Sequence, residues 1–312
     1  IQSTYKPSSY NSMNKLFFLF FFSSYTFLGL YSYESLDFFS EKASYDGQNL
    51  FLEGAVTLRS DLGLIYAQQA TLLKTDSSNK HEFSALELMQ QVFFDFHSGA
   101  QLSCNKAHID LNSLYGAFSS FDSPVYYQDY LTETHKLLEV SSKEIDFSLT
   151  KHTNEKNHSK YEVSSLLAKN NVQIEYANLY LIEADSARYT NNQDKKGMLE
   201  AFSHDANTSC TFTSGAHKIK AKAMQFDLNK EELTLDNPLG KISSFLFPHG
   251  EERLCTFSSN MLFWNHQNRH LHLEKEIEIQ DEYFGSMLGK ENLYIFQNEE
   301  YGKYVIRKIL AQ

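Results

Sequence analysis

Apolar and polar residues alternate with a period of two through many short runs of this chain. Leu50, Leu52, Val56 and Leu58 fall on one side of such a run, with Glu53 and Thr57 on the other. Leu271, Leu273, Ile277 and Ile279 repeat the arrangement, and shorter versions occur at Val172-Gln173-Ile174-Glu175-Tyr176 and Leu233-Thr234-Leu235. A period of two sends successive side chains to opposite faces, as in a strand with one buried face. Turn signals separate the runs: Asp46-Gly47, Asp61-Leu62-Gly63, Asn237-Pro238-Leu239-Gly240 and Pro248-His249-Gly250. Helical i, i+3, i+4 patterning is largely absent. The pattern predicts short antiparallel strands for almost everything after residue 34.

A second, weaker pattern is laid over the first: small-x-x-(small or apolar)-x-(aromatic or aliphatic). Its copies begin at Ser40, Ala67, Cys104, Ser142, Ala184, Ala221 and Ser258, with a degenerate last copy at Gly289-x-x-Asn292-x-Tyr294. Successive copies are 27, 37, 38, 42, 37, 37 and 31 residues apart. Near-regular spacing of this size marks a stacked repeat, in which each unit buries its apolar face on its neighbours. A single Trp264 and no Trp-Asp signature argue against a propeller of similar period.

Ala43-x-Tyr45-Asp46-Gly47, Leu50-x-Leu52-x-Gly54-x-Val56-x-Leu58, Gly63 and Ala67-x-x-Ala70 together resemble the OstA-like family of Gram-negative lipopolysaccharide transport proteins. The resemblance is clearest over residues 40–73 and again over 219–295, where Lys275 stands in place of the family's usual Gly. It implies an all-β, repetitive open β-roll of stacked antiparallel strands, the β-taco or jelly-roll-like form, over 34–312. Each rung of such a roll adds to an apolar trough that holds acyl chains. It also implies a non-enzymatic periplasmic protein that binds lipopolysaccharide through lipid A and pairs with other OstA-like proteins by edge-strand addition.

Charge and targeting signals narrow the setting. The net charge of −11 argues against nucleic acid as a partner, because phosphate binding needs a basic face. Met13-Asn14-Lys15 precedes the apolar run Leu16 to Phe22, which resumes at Thr26 to Tyr31. Residues 13–33 therefore read as a cleaved signal peptide or an inner-membrane anchor through 16–31, with 1–12 an over-extended start. Either reading exports the rest. Lys151 to Lys160 contains no apolar residue and is the candidate linker or long loop. Cys104 sits at a small position of the repeat and is expected to be a buried thiol, while a Cys210–Cys255 disulfide stays open.

Catalytic signatures such as G-x-S-x-G, H-E-x-x-H or G-x-x-x-x-G-K-[ST] are not found, so no catalytic residue, cofactor or metal is expected. His270 and His272 share a strand face and Glu274, Glu276 and Glu278 continue it; solvated side chains are the expected reading. His217, Lys218, Lys220 and Lys222 form a basic stripe, either a plain outer face or a site for lipid phosphates. Asp110 and Asp227 resemble Asp46 as turn residues. The inward set is Leu50, Leu52, Val56, Leu58, Val172, Ile174, Tyr176, Leu271, Leu273, Ile277 and Ile279. These make a dry core in a closed roll and a lipid groove in an open one, and the residues alone leave both standing. The resemblance implies the groove. A structural scaffold or protein-interaction module without cargo is the alternative. Tyr301 to Leu310 reads as a final strand with a free outer edge, unless the Gly289 copy is a cap.

Overall fold

The computed structural model describes residues 37–74, 83–153, 159–191, 196–204, 209–243, 254–282, 285–300 and 303–311. The apolar segment 13–33 lies outside them. All elements among the described residues are strands, and every pairing is antiparallel. In chain order they begin with β1 (Asp37–Phe39), β2 (Lys42–Tyr45), β3 (Leu50–Ser60), β4 (Gly63–Lys74), β5 (Phe83–Phe96), β6 (Gln101–Asp110), β7 (Tyr115–Ser119) and β8 (Val125–Leu131). Then come β9 (Lys136–Ser142), β10 (Glu144–Thr153), β11 (Ser159–Tyr176), β12 (Tyr180–Thr190), β13 (Met198–Phe202), β14 (Cys210–Ser214), β15 (His217–Ala221) and β16 (Ala223–Asp227). The last are β17 (Glu232–Asp236), β18 (Leu239–Ser243), β19 (Leu254–Ser258), β20 (Met261–Asn265), β21 (His270–Glu274), β22 (Ile277–Asp281), β23 (Gly285–Gly289), β24 (Asn292–Glu300) and β25 (Lys303–Ala311).

The pairings form two ladders. The upper ladder runs through β1, the second half of β3, then parts of β4, β5 and β6, and on through β8, β9, β11, β12, β14, β15, β18, β19, β22 and β23. The lower ladder runs through β2, the other halves of those long strands, then β7, β10, β11, β12, β13, β16, β17, β20, β21, β24 and β25. One repeat of about 37 residues crosses each ladder twice, which is why the small-residue motif recurs at that spacing. In the middle of the stack β6, β7, β10, β11, β9 and β8 close on one another as a ring of six pairings, a closed six-strand barrel by connectivity. Strands β10 and β11 run on through Lys151–Thr153 and Ser159–Lys160, ending in the pair Thr153↔Ser159. The candidate linker is thus hairpin at both ends, and 154–158 lie outside the described residues.

Strands pass from one ladder to the other at sharp corners. Four of the corners use two successive left-handed residues: Gly54 and Ala55 (φ 76° and 45°), Gln90 and Gln91 (64° and 52°), Asn170 and Asn171 (65° and 59°), Lys275 and Glu276 (56° and 48°). Gly54 serves a corner that wants φ > 0, and Lys275, at the corresponding corner between Leu273 and Ile277, adopts the same conformation at a steric cost. This second corner also corrects the carboxylate row. Glu274 belongs to the lower ladder, Glu276 to the corner and Glu278 to the upper ladder, so the three do not share a face.

Other corners carry the small-residue motif. Ser40, Ser142 and Ser259 each donate a hydroxyl proton to the carbonyl two residues on, at 2.9, 2.7 and 2.9 Å, and the Cys104 thiol does the same at 3.3 Å. A small side chain fits the corner, and its hydroxyl or thiol reaches the carbonyl of the strand that follows. The register of the last two copies is therefore one residue later than the sequence suggests. Ser259, Leu262 and Trp264 line up, with Phe263 outward, and Leu293 and Ile295 face in where Asn292 and Tyr294 were expected. The corners at Ser259-Asn260 and Lys290-Glu291 hold two residues instead of one. Ser142 is 1% exposed. Replacing it with alanine should cost about 1–2 kcal/mol by removing a buried hydrogen bond to the Glu144 carbonyl, read as a lower urea midpoint at unchanged slope.

Candidate functional site

The two ladders face each other across one hydrophobic interior, and its cross-section is a wedge. Residues next to the corners are small or short: Ala67, Ala70, Cys104, Ala107, Ala168, Ala187, Ala201 and Ala221 are all buried. One or two inward steps away the side chains grow. Val92 leads to Phe94 and Phe96, Val172 to Ile174 and Tyr176, Ala187 to Tyr189, and Met224 to Phe226. Two sheets that diverge from a fold line leave progressively more space, and close packing demands larger residues to fill it. This is the physical content of the motif's third, aromatic position.

The aromatics meet across the wedge. Phe94 of the upper ladder stands edge-on to Phe118 of the lower at 5.4 Å, and Phe96 does the same to Phe147 at 5.7 Å. Tyr180 packs edge-on against Phe226 at 5.3 Å and Trp264 at 6.1 Å, and Phe212 against Trp264 at 5.8 Å. Burial pushes the Tyr127 phenol well above its usual range, with Asp129 adding to the effect, so it stays a neutral donor to Asp129 Oδ2 at 3.1 Å.

A polar clasp bridges the open side of the wedge. Lys136, at the start of β9, pairs with Glu231 in the turn between β16 and β17. The ammonium also lies 5.6 Å over the Tyr176 ring, and the Tyr176 hydroxyl donates to the Leu228 carbonyl of that same turn at 3.1 Å. One turn further along, Lys196 of the lower side meets Glu133 of the upper at 3.5 Å. Glu231 is buried and holds φ 52°, a conformation kept only where its surroundings enforce it.

All eleven inward candidates point into this interior, on three levels of the stack. Leu52, Val56 and Leu58 are buried near one end and Leu50 is half-buried; Val172, Ile174 and Tyr176 are buried at mid-stack; Leu271, Leu273, Ile277 and Ile279 are buried toward the other end. They share one continuous core without forming one local cluster. Of the mouth aromatics only Tyr176 was among them, and neither charged pair of the clasp was. The aromatics carried a signal, in Phe147, Tyr189 and Phe226 of the motif. The clasp carried none, since its partners lie 95 and 63 residues apart.

The other singled-out groups find plain places. Asp46, Asp110 and Asp227 each accept two backbone N–H bonds within their own turns, at 2.7–3.1 Å, which lowers the pKa of Asp46 and Asp110. Cys104, Cys210 and Cys255 are buried free thiols, pushed up to about 12, 11 and 11 by burial. Cys210 and Cys255 stand on β14 and β19, with β15 and β18 between them. His270 and His272 lie outward in an aromatic column with Tyr294 and Phe296. Among the described residues no group of three metal-ligating side chains is gathered. His217 leaves the basic stripe: it turns inward against Trp264, and burial lowers its pKa. Neither a family model nor a curated protein matches the chain.

Proposed function

We propose that the chain is a non-enzymatic, OstA-like open roll of the Gram-negative periplasm that binds lipopolysaccharide by its acyl chains and passes it to a stacked neighbour. The observation that carries this reading is that, among the described residues, the inward apolar row runs from the first rung to the last and is uncovered at both ends. Phe38 and Tyr45, 41% and 58% exposed, lie in register with the inward Leu58 and Leu50; Met287, 40% exposed, lies opposite Ile279 at the far end. A further rung from another roll would continue the row. An acyl chain laid along it gains about 0.8 kcal/mol per buried CH₂. The signal or anchor reading of residues 13–33 belongs to the same proposal, supplying export or a tether to the inner membrane.

A cargo-free scaffold is the second reading. It is favoured by the packed mid-stack, where Leu138, Val140 and Ile145 have no exposed surface and the clasp closes the mouth. Under the lipid reading, Lys136 and Glu231 separate when an acyl chain enters, and the freed ammonium pairs with a glycolipid phosphate. Extraction of the protein purified from a Gram-negative host, followed by mass spectrometry, decides between them. Lipid A species at near-stoichiometric amounts are expected. Protein that is folded, stacked and free of lipid would establish the scaffold.

A further inference from the structure

We infer that the outer face of the upper ladder, toward its β23 end, is a docking surface for an anionic lipid bilayer. The inference does not rest on the lipid-cargo reading, because it concerns the opposite face of the sheet from the wedge.

The register builds the patch. Lys218 and Lys220 point outward from β15, and Lys241 on β18 lies directly opposite Lys218. Threonines flank them: Thr213 opposite Lys218, Thr211 opposite Lys220, and Thr256 opposite Lys241. On the same rows the nearest carboxylates among the described residues are Glu183, two strands from Lys220, and Glu278, three strands away on the other side. At ~4.8 Å per strand these are about 10 and 14 Å distant, at or beyond the screening length in physiological salt. Like charges directly opposite on paired strands oppose folding. In a chain carrying a net charge of −11, where a carboxylate opposite Lys218 would have been easy to place, three lysines gathered on two adjacent strands, with no carboxylate on those strands or the strands that flank them, call for an anionic partner.

Exposed leucines select the kind of anion. Leu239 is 55% exposed and opposite Lys220, Leu254 is 42% exposed at the start of β19, and Leu288 is 77% exposed on β23, all facing outward. A sheet face that presents ammonium groups with Leu239 and Leu254 beside them, and Leu288 further along opposite Glu278, matches a headgroup layer over acyl chains. A soluble phosphate would need convergent donors in a concavity, and among the described residues Lys218, Lys220 and Lys241 stand side by side on adjacent strands. The acidic remainder of the molecule orients the patch toward an anionic surface.

Co-sedimentation of the full chain with vesicles tests the assignment. Phosphatidylglycerol-containing vesicles should bind it in a salt-sensitive manner, above any binding to pure phosphatidylcholine. The K218E/K220E/K241E variant should lose that salt-sensitive component by on the order of 100-fold. K42E/K106E/K275E, with the same change in charge on exposed lysines elsewhere, should stay within a few-fold of the parent. A single K218E has a second signature, because a carboxylate opposite Lys241 relieves the repulsion. It should raise the unfolding midpoint while weakening vesicle binding. Equal losses in the two triple variants, or binding that does not distinguish anionic from neutral vesicles, would overturn the assignment.

Discussion

Tyr180→Ala is expected to destabilise the fold by about 3–5 kcal/mol, the range for removing a large aromatic side chain from a packed core. Tyr180 sits where the wedge is widest and joins the ladders. Its ring touches Tyr176 and Phe212 on its own ladder and Phe226, Trp264 and His266 on the opposite one, at 5.3–6.1 Å. No small residue nearby can collapse into the space, because both sheets are held open by the neighbouring aromatics. Leu181, the next residue, faces outward and pairs with Thr213. Leu181→Ala should change stability by less than about 1 kcal/mol. Urea denaturation followed by circular dichroism measures both. Similar losses for the two variants would mean that the ladders are not packed together through this cluster.

The second large effect concerns the ends of the stack. Among the described residues β1 and β2 close one end, while β23 and β25 close the other, each paired on one side only. An edge of this kind offers unpaired N–H and C=O groups to another chain. The terminal rungs also expose inward-facing Phe38 and Met287. Addition of another roll would bury both, so Phe38→Glu or Met287→Glu should weaken association by on the order of 100-fold or more, since each places an unpaired charge in an apolar junction. Neither should change the strand content, because both side chains are already about 40% exposed. Sedimentation velocity across a concentration series reads the result. A parent protein that stays monomeric at high concentration and binds no OstA-like protein would show that the end rungs are caps.

Much of the fold was legible in single residues. The period-two runs at Leu50–Leu58 and Leu271–Ile279 give the inward face correctly. They do so because the inward positions on either side of these corners are an even number of positions apart, four from Leu52 to Val56 and four from Leu273 to Ile277. The recurring small residue proved to mark a corner and the aromatic after it the widening wedge. The pattern failed where corner length changes. Ser258 and Gly289 satisfy the motif as letters, yet two-residue corners move the inward set to Ser259 and Leu293. His217 misled in a related way. It heads an alternating Lys stripe, but its own position is inward and its neighbour Trp264 comes from the other ladder. The clasp depends on which turns face each other across the mouth. Turn chemistry alone carries no trace of that, since the pairing of Lys136 with Glu231 is set by the whole stack between them.

Photo-crosslinking from both faces of the same strands tests the central proposal most directly. Crosslinkers at Leu52, Val56 and Ile277 lie inside the wedge, each 2% exposed or less, while Glu53, Thr57 and Glu278 project from the outer faces of the same strands. With the protein expressed in a Gram-negative host, the three inner positions should capture lipopolysaccharide and the three outer ones should not. Equal labelling of both faces, or none on either, would contradict a lipid-carrying wedge.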